Sequence, residues 1–270
     1  MNWINYNDLY NDLLILIAKL PKIDGVVGIP RSGMIPASIL STMLNVKLGA
    51  FTESGIIWLN GGVRDISENV EKIFVIDDSI DKGTSIERAM IAINGIPRYK
   101  AIYGCVYLNP EYPYIEYYGR KLSQPRMFEW NFMNNERLAQ AMVDIDGVLC
   151  RDILPEENHH DGRYQKFLEE VQPKYRMKYP IHSICSARAE KYRGTIEQWF
   201  SKHDIKYKNL YLLPDIIEGE EDGAQFKSKK YKESDCTLFI ESSEYTAKRI
   251  AELSHKPVIC TDTMELYDSP

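Results

Sequence analysis

The chain has 270 residues, of which 44% are hydrophobic and 27% charged, and its formal net charge at pH 7 is −6. That length holds one large or two ordinary domains, and the acidic balance argues against the basic stripe that a nucleic-acid-binding surface needs. Cys105, Cys150, Cys185, Cys236 and Cys260 are dispersed with no Cys-x-x-Cys pair, which reads as reduced core thiols in the cytoplasm.

In chain order, a helical pattern occupies roughly Tyr6 to Leu20. Its apolar run, Leu13 to Ala18, is too short to span a membrane and follows an acidic residue where a signal peptide carries positive charge. Strand-like Gly25 to Ile29 follows, then a loop, a helix from about Met34 to Leu44, and a strand near Lys47 to Phe51. The Gly61-Gly62 stretch is a candidate mobile loop. Strand 73–76, a helix at about 85–94 and strand Ala101 to Leu108 continue an alternation that predicts a parallel α/β sheet. Asn109 to Arg126, rich in Pro, Tyr and polar residues, reads as loops or edge structure. A second alternation begins at Ala141-Met142-Val143. It runs through strand Ile181 to Cys185, helix Tyr192 to Lys202, strand Leu210 to Leu213, strand Thr237 to Ile240, a helix near Glu244 to Leu253, and strand Pro257 to Cys260. The expected organisation is two α/β domains, 1–134 and 135–270, each a mainly parallel sheet flanked by helices.

Two strand ends carry chemistry. In Ile73-Phe74-Val75-Ile76-Asp77-Asp78-Ser79-Ile80-Asp81-Lys82-Gly83-Thr84-Ser85, an apolar strand runs into adjacent carboxylates and then into a Gly-containing loop before a helix. Backbone amides at such a helix N-terminus hold phosphate, and paired acids suit the vicinal hydroxyls of a ribose. Upstream, Gly28-Ile29-Pro30-Arg31-Ser32-Gly33 is another strand-to-helix loop. Its glycines allow close backbone approach, and Arg31 offers a fork of donors to phosphate oxygens.

The two loops together resemble the signature loops of type I phosphoribosyltransferases, a likeness covering roughly residues 20–130. It implies that Asp77 and Asp78 hold ribose hydroxyls, that Asp81, Lys82, Gly83, Thr84 and Ser85 wrap a 5-phosphate, and that Arg31, Ser32 and Gly33 hold pyrophosphate. Phosphoribosyl pyrophosphate with Mg²⁺ would be the donor. The segment Trp58 to Ser67, with Arg64 and Asp65, is either a closing lid or an ordinary surface loop. Asp81 stands where 6-oxopurine members of the family keep a proton-handling carboxylate, and Trp130 in Phe128-Glu129-Trp130 is similar to their base-stacking wall. A buried aromatic is the competing reading of Trp130. One departure is Asn109, which stands where base-reading members carry a lysine; purine is therefore a lean.

The second strand end, Met142-Val143-Asp144-Ile145-Asp146-Gly147-Val148, pairs a candidate nucleophile with a second acid. It resembles motif I of haloacid dehalogenase-like (HAD-like) phosphatases, a likeness covering about residues 140–262. It implies Asp144 as nucleophile and Asp146 as general acid and then base. Ser186, followed by Arg188, would bind the phosphoryl group with Lys227 (Lys229 is the rival lysine), and Asp144, Asp146 and Glu241 would form the Mg²⁺ set. Glu241 departs from the aspartate usual there. The insert from Asp152 to Pro180 is too small for a large cap and implies an open site. His159-His160 with neighbouring acids is a metal-site pattern, but a solvated face fits it better.

The combined expectation is a bifunctional Mg²⁺-dependent enzyme. One half would transfer phosphoribosyl to a nucleobase, and the other would hydrolyse a nucleotide or related phosphate ester. Expected partners are small molecules, not nucleic acid or membrane, with a homodimer left open. Two other readings are a phosphatase carrying a non-catalytic phosphoribosyl pyrophosphate- or nucleotide-binding regulatory domain, and a sensor that binds without turnover.

Overall fold

The computed structural model describes residues 1–59, 69–159, 162–215 and 222–268. Its contacts divide the chain into two units, Met1–Arg126 and Met127–Pro270. The division falls earlier than the boundary expected at 134/135.

The first unit runs β1 (Asn2–Ile4), α1 (Tyr6–Ile17), β2 (Gly25–Gly28), α2 (Met34–Leu44), β3 (Lys47–Thr52), β4 (Gly55–Trp58), β5 (Lys72–Ile80), α3 (Thr84–Asn94), β6 (Lys100–Leu108) and β7 (Tyr117–Lys121), with β8 (Arg126–Phe128) at the junction. One six-stranded sheet has the order β4-β3-β2-β5-β6-β7. All its pairs are parallel except β3 with β4. The central strands are continuous apolar runs, as a sheet covered by helices on its faces demands: Val26, Val27 and Ile73 through Ile76 are fully buried. Asn5 begins α1 with a reciprocal capping box to Asp8.

One expectation is corrected here. Strand β5 does not stop at Ile76 but continues to Ile80, because Asp77, Ser79 and Ile80 pair with Cys105, Tyr107 and Leu108 of β6. Of the loops or edge structure expected between Asn109 and Arg126, Tyr117–Lys121 is the edge structure, a parallel strand beside β6.

The second unit runs β9 (Ala141–Val143), α4 (Arg163–Glu170), β10 (Ile181–Ala189), α5 (Arg193–Lys202), β11 (Tyr207–Leu213), α6 (Gly223–Glu233), β12 (Leu238–Glu241), α7 (Glu244–Ser254), β13 (Val258–Cys260) and β14 (Glu265–Tyr267). Its sheet order is β11-β10-β9-β12-β13-β14, parallel except for β14. Strand β9 is central, so the ends of β9, β10 and β12 lie side by side. Helices α6 and α7 close one face over Met142, Phe226, Tyr231, Phe239 and Ile250. The five cysteines are buried and form no disulfide, and no described helix is long and apolar enough to cross a membrane.

Candidate functional site

In the first unit the turn after β2 and the end of β5 meet. The Ser32 hydroxyl donates to Asp78 Oδ1 at 2.9 Å, tying the two loops together. Gly33 is required at this crossing, because a Cβ there would sit 2.5 Å from the Ile29 carbonyl oxygen and 2.9 Å from Asp77 Oδ1. Arg31 is exposed beside them, and the Pro30–Arg31 peptide is cis. Asp77 and Asp78 are both buried, and the Asp78 amide donates to Asp77 Oδ1 at 2.9 Å. Burial, reinforced by the adjacent Asp78 charge, pushes the Asp77 carboxyl up to about 8.

Beyond them the chain turns at Gly83, whose φ of 82° is left-handed. No side chain caps the N-terminus of α3, so the first-turn amides, with exposed Thr84 and Ser85, are open to an anion. Asp77, Asp81, Lys82, Gly83, Thr84 and Ser85 line a cavity of about 260 Å³ there. Asp81 accepts from the Asn109 amide at 2.8 Å and from the Gln124 amide at 3.4 Å. Asn109 is thus a tether for Asp81, a role the sequence comparison with lysine-bearing enzymes does not reveal. Arg126 was also missed. It is buried, its Nη1 donates to the Leu122 carbonyl, and the charges of Asp81, Asp78 and Asp77 oppose the lowering of its pKa by burial.

The second unit gathers its acids around one lysine. Lys227, from α6, donates to Asp144 Oδ2 at 2.7 Å and to Glu241 Oε2 at 2.6 Å, all three buried. Lys229 is exposed, so Lys227 is the lysine that reaches the acids. Burial opposes the Lys227 charge, but the two carboxylates outweigh it and raise the ammonium above its ordinary range. Burial raises Asp144 to about 8 in spite of Lys227, and Glu241 and Asp146 add to the rise. Asp144 Oδ1 is buried without a hydrogen-bond partner. Gly147 is left-handed, with φ of 70°, and a Cβ on it would lie 2.2 Å from Ser242 Oγ. Ser186, at the neighbouring strand, is buried, and its hydroxyl accepts from the Arg188 amide at 3.3 Å.

Arg188 grips Asp146 with two bonds, Nη2 to Oδ1 at 2.7 Å and Nε to Oδ2 at 3.1 Å. Its Nη1 is buried without a partner. The expected metal set Asp144, Asp146 and Glu241 is therefore not assembled from three side chains. Asp146 is committed to Arg188. Glu241 reaches Lys227 with one oxygen, and its other oxygen accepts from the Ser242 and Ser243 amides. Among the described residues no three His, Cys, Asp or Glu side chains gather to hold a metal ion.

No family model matches the chain. A xanthine-guanine phosphoribosyltransferase of Gluconobacter oxydans is 26% identical over 144 residues, spanning 47% of this chain and 83% of the relative. The first half of this chain resembles the type I purine phosphoribosyltransferases. Among solved structures, the xanthine-guanine-hypoxanthine phosphoribosyltransferase of Helicobacter pylori aligns at 17% identity over 48% of this chain and 90% of its own, with a TM-score of 0.38. A purine phosphoribosyltransferase of Pyrococcus horikoshii aligns at 20% identity over 48% and 92%, also at 0.38.

Within this phosphoribosyltransferase-like unit, Ser32, Gly33, Asp77 and Asp78 come together, and Asp81 through Ser85 line one cavity. Trp130 is not among that cavity's lining residues. It falls in the second unit, where its ring stacks on Phe128 with centroids 4.7 Å apart. Of the candidate lid from Trp58 to Ser67, residues 60–67, with Arg64 and Asp65, lie outside the described residues, as do His160 of the His159-His160 pair and Asp161.

Proposed function

We propose that the first unit transfers a phosphoribosyl group from phosphoribosyl pyrophosphate to a purine base, releasing pyrophosphate. One observation carries this reading: Ser32–Asp78 joins the two loops at a buried acid pair beside an uncapped helix N-terminus. The 26% relative, named for transfer to xanthine and guanine, supports it. Asp77 and Asp78 accept the ribose hydroxyls, the α3 amides with Thr84 and Ser85 hold the 5-phosphate, and Arg31 neutralises departing pyrophosphate. As the bond from ribose C1 to pyrophosphate breaks, the base nitrogen closes on C1, and Asp81, held by Asn109 and Gln124, takes the nitrogen's proton. Mg²⁺ would arrive on the donor's own oxygens and offset charge on the leaving group. The 270-residue chain given Mg²⁺, donor and a panel of xanthine, guanine, hypoxanthine and adenine should release pyrophosphate with at least one base. Silence with all four overturns the proposal.

A second activity is favoured by the Asp144 geometry. The unit around Asp144 reads as a HAD-like phosphatase domain that hydrolyses a phosphate monoester. The unpartnered Asp144 Oδ1 supports a nucleophilic role, and the Lys227 ammonium supports charge neutralisation at the phosphoryl group. Asp144 Oδ1 attacks phosphorus, the ester oxygen leaves with a proton, and water then hydrolyses the aspartyl phosphate. For Asp146 to supply that proton it must first leave Arg188. Mg²⁺ would screen the Asp144 carboxylate from the phosphate while keeping water and substrate oxygens as most of its ligands, since Asp144 Oδ1 is given to the attack and Oδ2 to Lys227. Phosphate release from a panel of monoesters, abolished in Asp144→Asn, is the expected result; release that survives this substitution overturns the assignment. If both activities hold, hydrolysis of the nucleotide pulls a reversible transfer forward.

A further inference from the structure

Beside Asp144 lies a cavity of about 360 Å³ whose walls reach beyond the residues that the phosphoryl chemistry itself uses. Asp146, Arg188, Lys191, His159, Tyr164 and Tyr192 contribute to its walls. The volume falls at the lower end of small-molecule sites, ~300–1,000 Å³. Its composition divides by origin. The strand end supplies charge through Asp146 and Arg188, whose buried Nη1 has no partner. The segments outside the sheet supply rings: Tyr164 from α4 and Tyr192 from the turn before α5, meeting edge to face with centroids 4.9 Å apart. Lys191 lies over the Tyr192 ring at 5.1 Å, which adds a cation on the aromatic side. Ala187 and Ala189 add only small side chains to the lining.

We infer that this cavity seats a nucleoside 5′-monophosphate, with its base against Tyr164 and Tyr192, its phosphate toward the Arg188 end, and the two tyrosines determining specificity. The inference rests on the reading of Asp144 as a phosphomonoester-hydrolysing site and narrows its substrate class. A sugar phosphate would use the charged pole and leave both rings uncovered. A heteroaromatic base covers them, and stacking on an aromatic side chain discriminates by roughly ten- to a hundredfold in affinity. Phe167 fixes the geometry behind the cavity: its buried ring is flanked by Arg188 at 5.5 Å and Arg151 at 5.0 Å, so α4 carries Tyr164 and braces Arg188 at once.

The test uses the full chain in two arms. In the first, kcat/KM for GMP and for ribose 5-phosphate is measured in the wild type and in Tyr164→Ser/Tyr192→Ser. The expected result is a wild-type preference for GMP of about tenfold or more, lost in the double variant and restored in Tyr164→Phe/Tyr192→Phe, which keeps the rings. In the second arm, calorimetry reads GMP binding to Asp144→Asn, with and without the serine substitutions, so that affinity is seen independently of turnover. GMP binding that weakens about tenfold on loss of the rings upholds the inference even if no ester is hydrolysed, in which case only the phosphatase reading fails. Equal use of both esters, a GMP preference that survives the serine variants, or no GMP binding to Asp144→Asn overturns it.

Discussion

Buried carboxylates dominate both sites, and their protonation decides how each behaves with pH. Asp77 is raised to about 8 by burial and by Asp78. A carboxyl whose folded pKa lies above its unfolded value, here 3.8, binds more protons when folded, so its contribution to stability is lost as pH rises from about 4 to about 8. Asp77→Asn keeps the acceptor for the Asp78 amide and removes that loss. Its Tm should match the wild type near pH 4 and exceed it at pH 8, by on the order of 1–2 kcal/mol in stability, while donor binding weakens. Equal pH slopes for the two proteins would refute the assignment. Lys227 is the converse case, a single cation shared by two buried acids. Lys227→Met strands both carboxylates and should cost about 3–5 kcal/mol in urea unfolding. Asn109→Leu should lower kcat for transfer by about tenfold or more and alter its pH profile, with donor KM little changed, because it frees the Asp81 carboxylate and leaves the α3 amides, Thr84 and Ser85 as they are.

Among the elements, the loop between β5 and α3 depends on one glycine. Gly83 is left-handed, and a Cβ would come within 2.2 Å of the Tyr112 ring, itself anchored to Glu87 by a 3.0 Å hydrogen bond. Gly83→Ala should cost about 1–3 kcal/mol and raise the donor KM more than the base KM, a split that steady-state kinetics reads directly. Most elements were legible because their signals are local. Apolar runs of strand length mark β2, β5, β6 and β12, and α2 spans the expected Met34 to Leu44. The misses have physical causes. Polar-rich Gly223–Glu233 forms α6 with the help of a capping box at Asp222 and Gln225, and α4 is a short helix whose mean composition is polar.

For the whole molecule, two units each with its own sheet and core carry one candidate site apiece. The two proposed activities should therefore be lost independently. Asp144→Asn should abolish phosphate release and leave pyrophosphate release within about twofold of wild type, and Asp78→Asn should do the reverse. Loss of both activities from either substitution would show that the sites are coupled.

The sequence alone determined the two α/β alternations and the order of the motif residues, because strand-length apolar runs and glycine-bearing loops encode themselves over a few neighbouring positions. It also marked Asp77, Asp78, Asp81, Asp144 and Lys227 as candidate site residues. Only the tertiary structure decided what each of them touches. Ser32 meets Asp78, Asn109 and Gln124 restrain Asp81, Lys227 settles between Asp144 and Glu241, and Arg188 takes Asp146. Those partners lie on different strands and helices, and no local pattern specifies which side chains the sheets bring within hydrogen-bonding distance.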